Sequence, residues 1–125
     1  MSKKITILLS LLMVVVSSSF LHAANLTIST NAKVDTLTIN SGSTVAQTGS
    51  SLSVAGDFTN NGTFTANSNT VVLTGSEQTL SGDITFYNLT IQSSGLVTKA
   101  NADKLTISGK LEMATSSGVE IQNVQ

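Results

Sequence analysis

The sequence predicts an all-β protein, a β-solenoid of the right-handed parallel β-helix kind, with an antiparallel β-sandwich as the alternative arrangement. Three observations lead there. Short triplets in which an apolar pair brackets a polar residue recur along the chain, as half-buried strands require. Clusters of Gly, Asn and Ser separate them. No apolar stripe of helical period interrupts the pattern, and the chain has no Pro.

The first element is not part of that pattern. Lys3 and Lys4 precede an apolar or small run from Ile5 to Val16, followed by Ser17, Ser18 and Ser19 and then Ala23-Ala24. This is the layout of a secretory signal peptide with cleavage after Ala23 or Ala24. The apolar run is short of the roughly 20 residues a spanning helix needs. The expected division is therefore a signal peptide at 1–24 and a β-solenoid segment at 25–125, exported to the exterior or the cell surface with no membrane span in the mature chain.

From Asn25 onward the triplets are Leu26-Thr27-Ile28, Leu37-Thr38-Ile39, Leu52-Ser53-Val54, Val71-Val72-Leu73, Leu89-Thr90-Ile91, Leu105-Thr106-Ile107 and Val119-Glu120-Ile121. Turn signals lie between them, among them Asn40-Ser41-Gly42, Asn60-Asn61-Gly62, Ser81-Gly82-Asp83, Ser93-Ser94-Gly95 and Ser108-Gly109. The triplets start at 26, 37, 52, 71, 89, 105 and 119, giving steps of 11, 15, 19, 18, 16 and 14 residues. One recurring motif signals a repeat, and the longer steps suit a coil of two or three short strands. Alternation is equally compatible with hairpins in a sandwich. The stretch Gly56 to Ala66 shows both options: Asn60-Asn61-Gly62 is either a hairpin loop with Gly62 left-handed and Thr59 facing Thr63, or a bend within a coil where asparagines ladder. Phe58 and Phe64 point inward in either case.

Composition excludes several classes of function. Without the leader, Lys33, Lys99, Lys104 and Lys110 stand against seven acids, so the net charge is −3, and there is no Arg. The basic footprint of a nucleic-acid binder is missing, as is a polybasic membrane anchor. With no Cys, neither a disulfide nor a lipidated cysteine is available, and folding rests on packing and backbone hydrogen bonds. His22 belongs to the leader, so His-dependent triads and zinc sites are excluded from the mature chain. The sequence assigns no catalytic, cofactor or metal residue and predicts a protein that is not an enzyme.

Asp57 and Asp83 are the carboxylates nearest to a glycosidase pair or a calcium site. Each follows a glycine at a similar point before a strand, so both are expected to cap backbone N–H groups in turns. Of the aromatic residues, Phe58, Phe64 and Phe86 sit at inward positions. Phe86 is out of phase with Leu89 and Ile91, which requires a bend near Asn88 or else a buried Tyr87. Tyr87 is the candidate ligand-binding residue. The pairs Thr36/Thr38 and Thr63/Thr65 raise ice binding as a minor alternative, although threonine is also an ordinary outward strand residue.

Residues 35 to 113 resemble the repeat regions of large secreted bacterial cell-surface proteins of the parallel β-helix type, adhesin-like proteins of Bacteroidetes-type bacteria. The motifs that carry the likeness are Gly56-Asp57-Phe58-Thr59-Asn60-Asn61-Gly62-Thr63-Phe64 and Phe86-Tyr87-Asn88-Leu89-Thr90-Ile91. The resemblance implies a structural or adhesive role, with surface glycans or other surface proteins as partners. A carbohydrate-binding module is the alternative function, and a fragment of a polysaccharide-degrading enzyme a minor one. Proteins of that kind are usually longer. Since alternation runs to Gln125 without a polar cap, the sequence predicts a truncated product or a module that associates end to end.

Overall fold

A strand of three or four residues must find hydrogen-bond partners on both edges, and in this chain it finds them in the next and the previous turn of the same coil. The computed structural model describes residues 3–7, 24–99, 103–114 and 121–123. Among these there is no helix. The strands are β1 (Lys3–Ile7), β2 (Ala24–Ile28), β3 (Ala32–Val34), β4 (Leu37–Ile39), β5 (Thr44–Gln47), β6 (Ser51–Val54), β7 (Phe58–Asn60), β8 (Thr63–Thr65), β9 (Thr70–Leu73), β10 (Gln78–Ser81), β11 (Ile84–Phe86), β12 (Asn88–Ile91), β13 (Val97–Lys99), β14 (Leu105–Ile107), β15 (Leu111–Met113) and β16 (Ile121–Asn123).

Every pairing among them is parallel and joins strands three apart in the chain, β1 with β2 excepted. One sheet runs β1-β2-β5-β8, a second β3-β6-β9-β12-β15 and a third β4-β7-β10-β13-β16. The pair β11-β14 continues the first side, β11 lying against β8. The chain is thus a parallel β-solenoid of about five turns, three strands to a turn. The sandwich alternative is set aside by the parallel ladders.

Register accounts for the irregular triplet steps. The triplets at 52, 71 and 89 are β6, β9 and β12, stacked in one sheet, so their steps of 19 and 18 residues are true coil lengths. The triplets at 26, 37 and 105 lie on other sides of the coil, on β2, β4 and β14. Val119 and Glu120 lie outside the described residues.

Inward residues form columns. Leu52, Val71 and Leu89 stack in register, as do Val54, Leu73 and Ile91, and all six are 1% exposed or less. Burying each such side chain contributes about 1.5–3 kcal/mol. The expected core positions Phe58, Phe64 and Phe86 are buried. Their rings form a mutual edge-to-face cluster with centroids 5.2, 5.4 and 5.9 Å apart, the arrangement that ring quadrupoles favour.

Asn60-Asn61-Gly62 is the bend that carries β7 of one turn into β8 of the next, not a hairpin loop. Thr59 pairs with Thr38 and Ser81, and Thr63 with Thr44. Gly62 is not left-handed; among the described residues the positive-φ positions are Gly42, Asn67 and Gly82. Nor does Asn60 build an asparagine ladder, because Ile39 is its register partner on one side and the Gly82 backbone covers it on the other. A side chain at Gly82 would collide with the Asn60 carbonyl, and its φ of 81° is one that glycine adopts without strain. Asn60 instead donates from Nδ2 to the Asp83 carbonyl at 2.7 Å.

The columns change character in the last turns. Lys99 occupies the inward position above Leu80 and is buried. Its Nζ donates to the Gly82 carbonyl at 3.0 Å and lies 3.6 Å from Asp103 Oδ2. Leu111 and Met113, in register with buried Leu89 and Ile91, are 44% and 52% exposed.

Candidate functional site

The phase conflict between Phe86 and Leu89 is resolved at a corner. β11 ends at Phe86, β12 begins at Asn88, and the single residue between them changes direction from one sheet to the next. Phe86 is fully buried. Tyr87, freed from either sheet's alternation, points outward and is 39% exposed, which selects the bend over the buried-tyrosine arrangement.

Tyr87 is held from behind by the following turn. Ser108 N donates to the Phe86 carbonyl at 3.0 Å and Gly109 N to the Tyr87 carbonyl at 2.7 Å. A Cβ at Gly109 would stand 3.1 Å from Tyr87 Cδ1 and 2.6 Å from Asn88 Oδ1, so the glycine lets this turn close against the ring. In front of the ring is an open groove of about 220 Å³, lined by Phe64, Thr65, Ala66, Asn67, Thr85, Tyr87 and Ser108. Phe64 gives it an apolar floor from the core cluster.

Asn67 shapes the opposite rim. It sits at φ 50°, a left-handed conformation that asparagine tolerates better than most residues. Its Nδ2 donates to the Gln47 carbonyl at 2.7 Å, in the turn before. No charged side chain lines the groove. Comparison with protein-family models, curated proteins and solved structures finds no match to this chain. Its geometry therefore stands alone as the guide to function.

The two aspartates singled out in the sequence are not brought together. Asp57 precedes β7 and its Oδ1 accepts the Thr79 N–H at 2.8 Å; Asp83 precedes β11 and its Oδ1 accepts the Lys104 N–H at 2.7 Å. They cap backbone donors as expected, but each reaches a residue one turn further on instead of its own turn. Asn31 and Asn88 do the same for Ser51 and Lys110 at 3.0 and 2.9 Å. Side-chain oxygens at the bends thus stitch successive turns together. Among the described residues no cluster of three His, Cys, Asp or Glu side chains could hold a metal ion, and no helix is long and apolar enough to cross a membrane.

The threonine pairs are divided between sides of the coil: Thr38 lies on β4 and Thr63 and Thr65 on β8. Sequence reasoning picked out Tyr87, and Thr65 only as part of a threonine pair, but missed Asn67, Thr85 and Ser108 and the grouping of all four around the ring. The signal that finds them is coil length. Ser108 follows Tyr87 by 21 residues and Thr85 follows Thr65 by 20, distances close to those between register partners elsewhere in the stack.

Proposed function

We propose that this chain is a non-enzymatic, secreted or cell-surface β-solenoid whose task is structural display or adhesion. The observation that supports this best is the chemistry of its outer sides. The second side mixes Lys33, Val72 and Glu112 with Ser51, Ser53, Thr70 and Thr90, whereas the outward strand positions are Asn25, Thr27, Thr44, Ala46, Thr63, Thr65, Thr85 and Thr106 on the first side and Thr38, Thr59, Thr79, Ser81 and Thr98 on the third. These last two sets are neutral and mostly hydroxylated, and run from turn to turn. Such a surface suits contact over an extended area. The carboxylates that could do acid–base work are used as backbone caps at separate bends.

Exposed Leu111 and Met113 at the last described turn support the structural side of the same reading, since inward-facing residues there offer apolar surface to another layer. End-to-end self-association is part of the proposal. So is export, with residues 1–24 acting as a leader removed after Ala23 or Ala24, which takes β1 from the end of the first sheet and leaves β2 as its first strand.

The test is to express the full chain in a bacterial host, locate it by adding protease to intact cells, and determine the amino terminus of the exported product. Beads coated with that product are then drawn by flow over glycan-bearing cell layers. Export with a terminus at Ala24 or Asn25, and bead retention above that of an unrelated acidic β-protein, is the expected result. A chain that stays inside the cell, or exported beads that are not retained, would overturn the reading.

A further inference from the structure

We infer that the groove in front of Tyr87 is a saccharide-binding site that takes one neutral pyranose ring of a glycan, the ring stacked on Tyr87. This names the ligand class for the adhesive reading and rests on that reading for its biological setting alone.

Four features converge on this ligand. The first is the aromatic platform: a tyrosine 39% exposed at a corner, with Gly109 of the following turn packed close to one edge of its ring. Preorganised rings lose little conformational entropy on contact, and the C–H face of a pyranose presents the apolar, slightly positive edge that a π-face attracts.

The second is a ring of hydroxyls without partners. Among the described residues, the side-chain oxygens of Thr65, Thr85, Tyr87 and Ser108 make no hydrogen bond within the protein. Thr48, Thr74 and Ser93 differ, each spending its hydroxyl on the backbone of an earlier turn. Each groove hydroxyl both donates and accepts, which is the complement of a sugar hydroxyl.

The third is Asn67. It lines the groove, its Nδ2 is committed to the Gln47 carbonyl, and its Oδ1 is an acceptor with no partner among the described residues. Rigid amide acceptors beside an aromatic face supply direction where hydroxyls supply capacity.

The fourth is charge and size. No Lys, Asp or Glu lines the groove, so an anionic ligand would be desolvated without a counter-charge. At about 220 Å³ it is smaller than the roughly 300 Å³ at which pockets begin to enclose a small molecule. It holds one ring and leaves the rest of a chain in solvent, as a surface that grips polymers needs.

Tyr87 is the sole tyrosine, and the chain has no tryptophan. Its fluorescence therefore reports on this groove without a label. The exported chain is titrated with cellohexaose, maltohexaose and chitotetraose as neutral probes and with hexagalacturonate as the anionic one. A saturable change of Tyr87 emission with at least one neutral probe, and none with hexagalacturonate at the same concentration, is expected. Calorimetry with the same probe should then show affinity lowered about tenfold or more in Tyr87→Ala and held within about threefold in Tyr87→Phe, which keeps the stacking face. Thr85→Lys, on an exposed position, should weaken binding while leaving the thermal melt unchanged.

The inference is overturned if no neutral probe perturbs Tyr87, if hexagalacturonate binds as well, or if Tyr87→Ala binds as tightly as the parent chain. These titrations are done in solution and do not depend on export or bead retention. Adhesion that survives Tyr87→Ala would leave the adhesive reading standing and remove this site; sugar binding by a chain that does not adhere would do the reverse.

Discussion

The Oδ1 of Asp57 accepts the backbone N–H of Thr79 at 2.8 Å, across 22 residues of sequence and one turn of the coil. A residue that looks like a local turn former is thus an inter-turn tie. Because Asp57 is exposed, the bond competes with water and its net worth is about 1 kcal/mol. Asp57→Ala should lower the melting temperature by about 4–8 °C for a chain of this size, and Asp57→Asn, which keeps an acceptor oxygen, should cost much less. Thermal melts followed by far-ultraviolet circular dichroism check both; equal losses in the two variants would show that charge, not the cap, matters.

Phe58 touches Phe64 and Phe86 at once, linking three turns through one ring. Truncating a buried Phe to Ala costs about 3–5 kcal/mol, a large part of the roughly 5–15 kcal/mol that stabilises a domain. Phe58→Ala should leave little cooperative transition at physiological temperature, while Phe58→Leu should retain one at a lower temperature. Tyr87→Ala, at the exposed edge, should melt close to the parent chain.

Lys99 replaces a core aliphatic in the column Leu37, Phe58, Leu80. Its partner Asp103 is half-buried and also accepts the Gly82 N–H at 2.6 Å, so it would not be left without a hydrogen bond. Removing one member of a buried ion pair leaves the other charge uncompensated, a penalty that the partial exposure of Asp103 moderates here. The Gly82 carbonyl also loses its donor. Lys99→Met should therefore be less stable than the parent in urea denaturation by about 1–3 kcal/mol, and Lys99→Ala less stable still because it adds a cavity. A Lys99→Met chain as stable as the parent would show that these polar contacts add nothing net.

Glu112 lies beside Lys110, whose ammonium donates to its carboxylate. That hydrogen bond first, and the attraction of the same charge second, hold the Glu112 carboxyl below its ordinary value of 4.5. A carboxyl depressed in the folded state adds stability above its unfolded value, and that stability is lost as pH falls through the lower folded value. Since both side chains are solvent-exposed, the contribution is small and screened by salt, and its loss is confined to pH below about 4.5. Titration by NMR should show Glu112 below its ordinary value of 4.5. The difference should vanish in Lys110→Gln or in about 1 M salt.

Much of the fold was legible because period-2 alternation is imposed by burial, and the bore here is continuous. The triplets at 52, 71 and 89 even carried the coil length. What hid the rest was that a coil with three sides repeats its motif three times per turn at unequal spacings, so triplets from different sides read as one irregular series. Gly62 looked like a hairpin glycine because the local signal for a tight turn is shared by hairpins and coil bends. Asp57 and Asp83 were recognisable as caps from composition, yet their partners lie about twenty residues away, beyond the reach of turn rules. Tyr87 stood out as the aromatic with an unsettled side, and Thr65 only as half of a threonine pair, while Thr85 and Ser108 are too ordinary to be tied to Tyr87 until register gathers them.

The stacking of parallel turns underlies both the proposed adhesive surface and the groove, and the absence of cysteine allows it to be tested against a clean background. Ser53 and Val72 are outward register partners on β6 and β9, at a separation between neighbouring strands that a disulfide spans. In the doubly substituted chain Ser53→Cys/Val72→Cys, mild oxidation should give a monomer with an internal disulfide, seen by mass spectrometry after proteolysis. In Thr59→Cys/Thr63→Cys, whose residues a hairpin at 60–62 would set face to face, it should not. A cross-link in the second chain and none in the first would contradict the solenoid, and with it everything built on its outer sides.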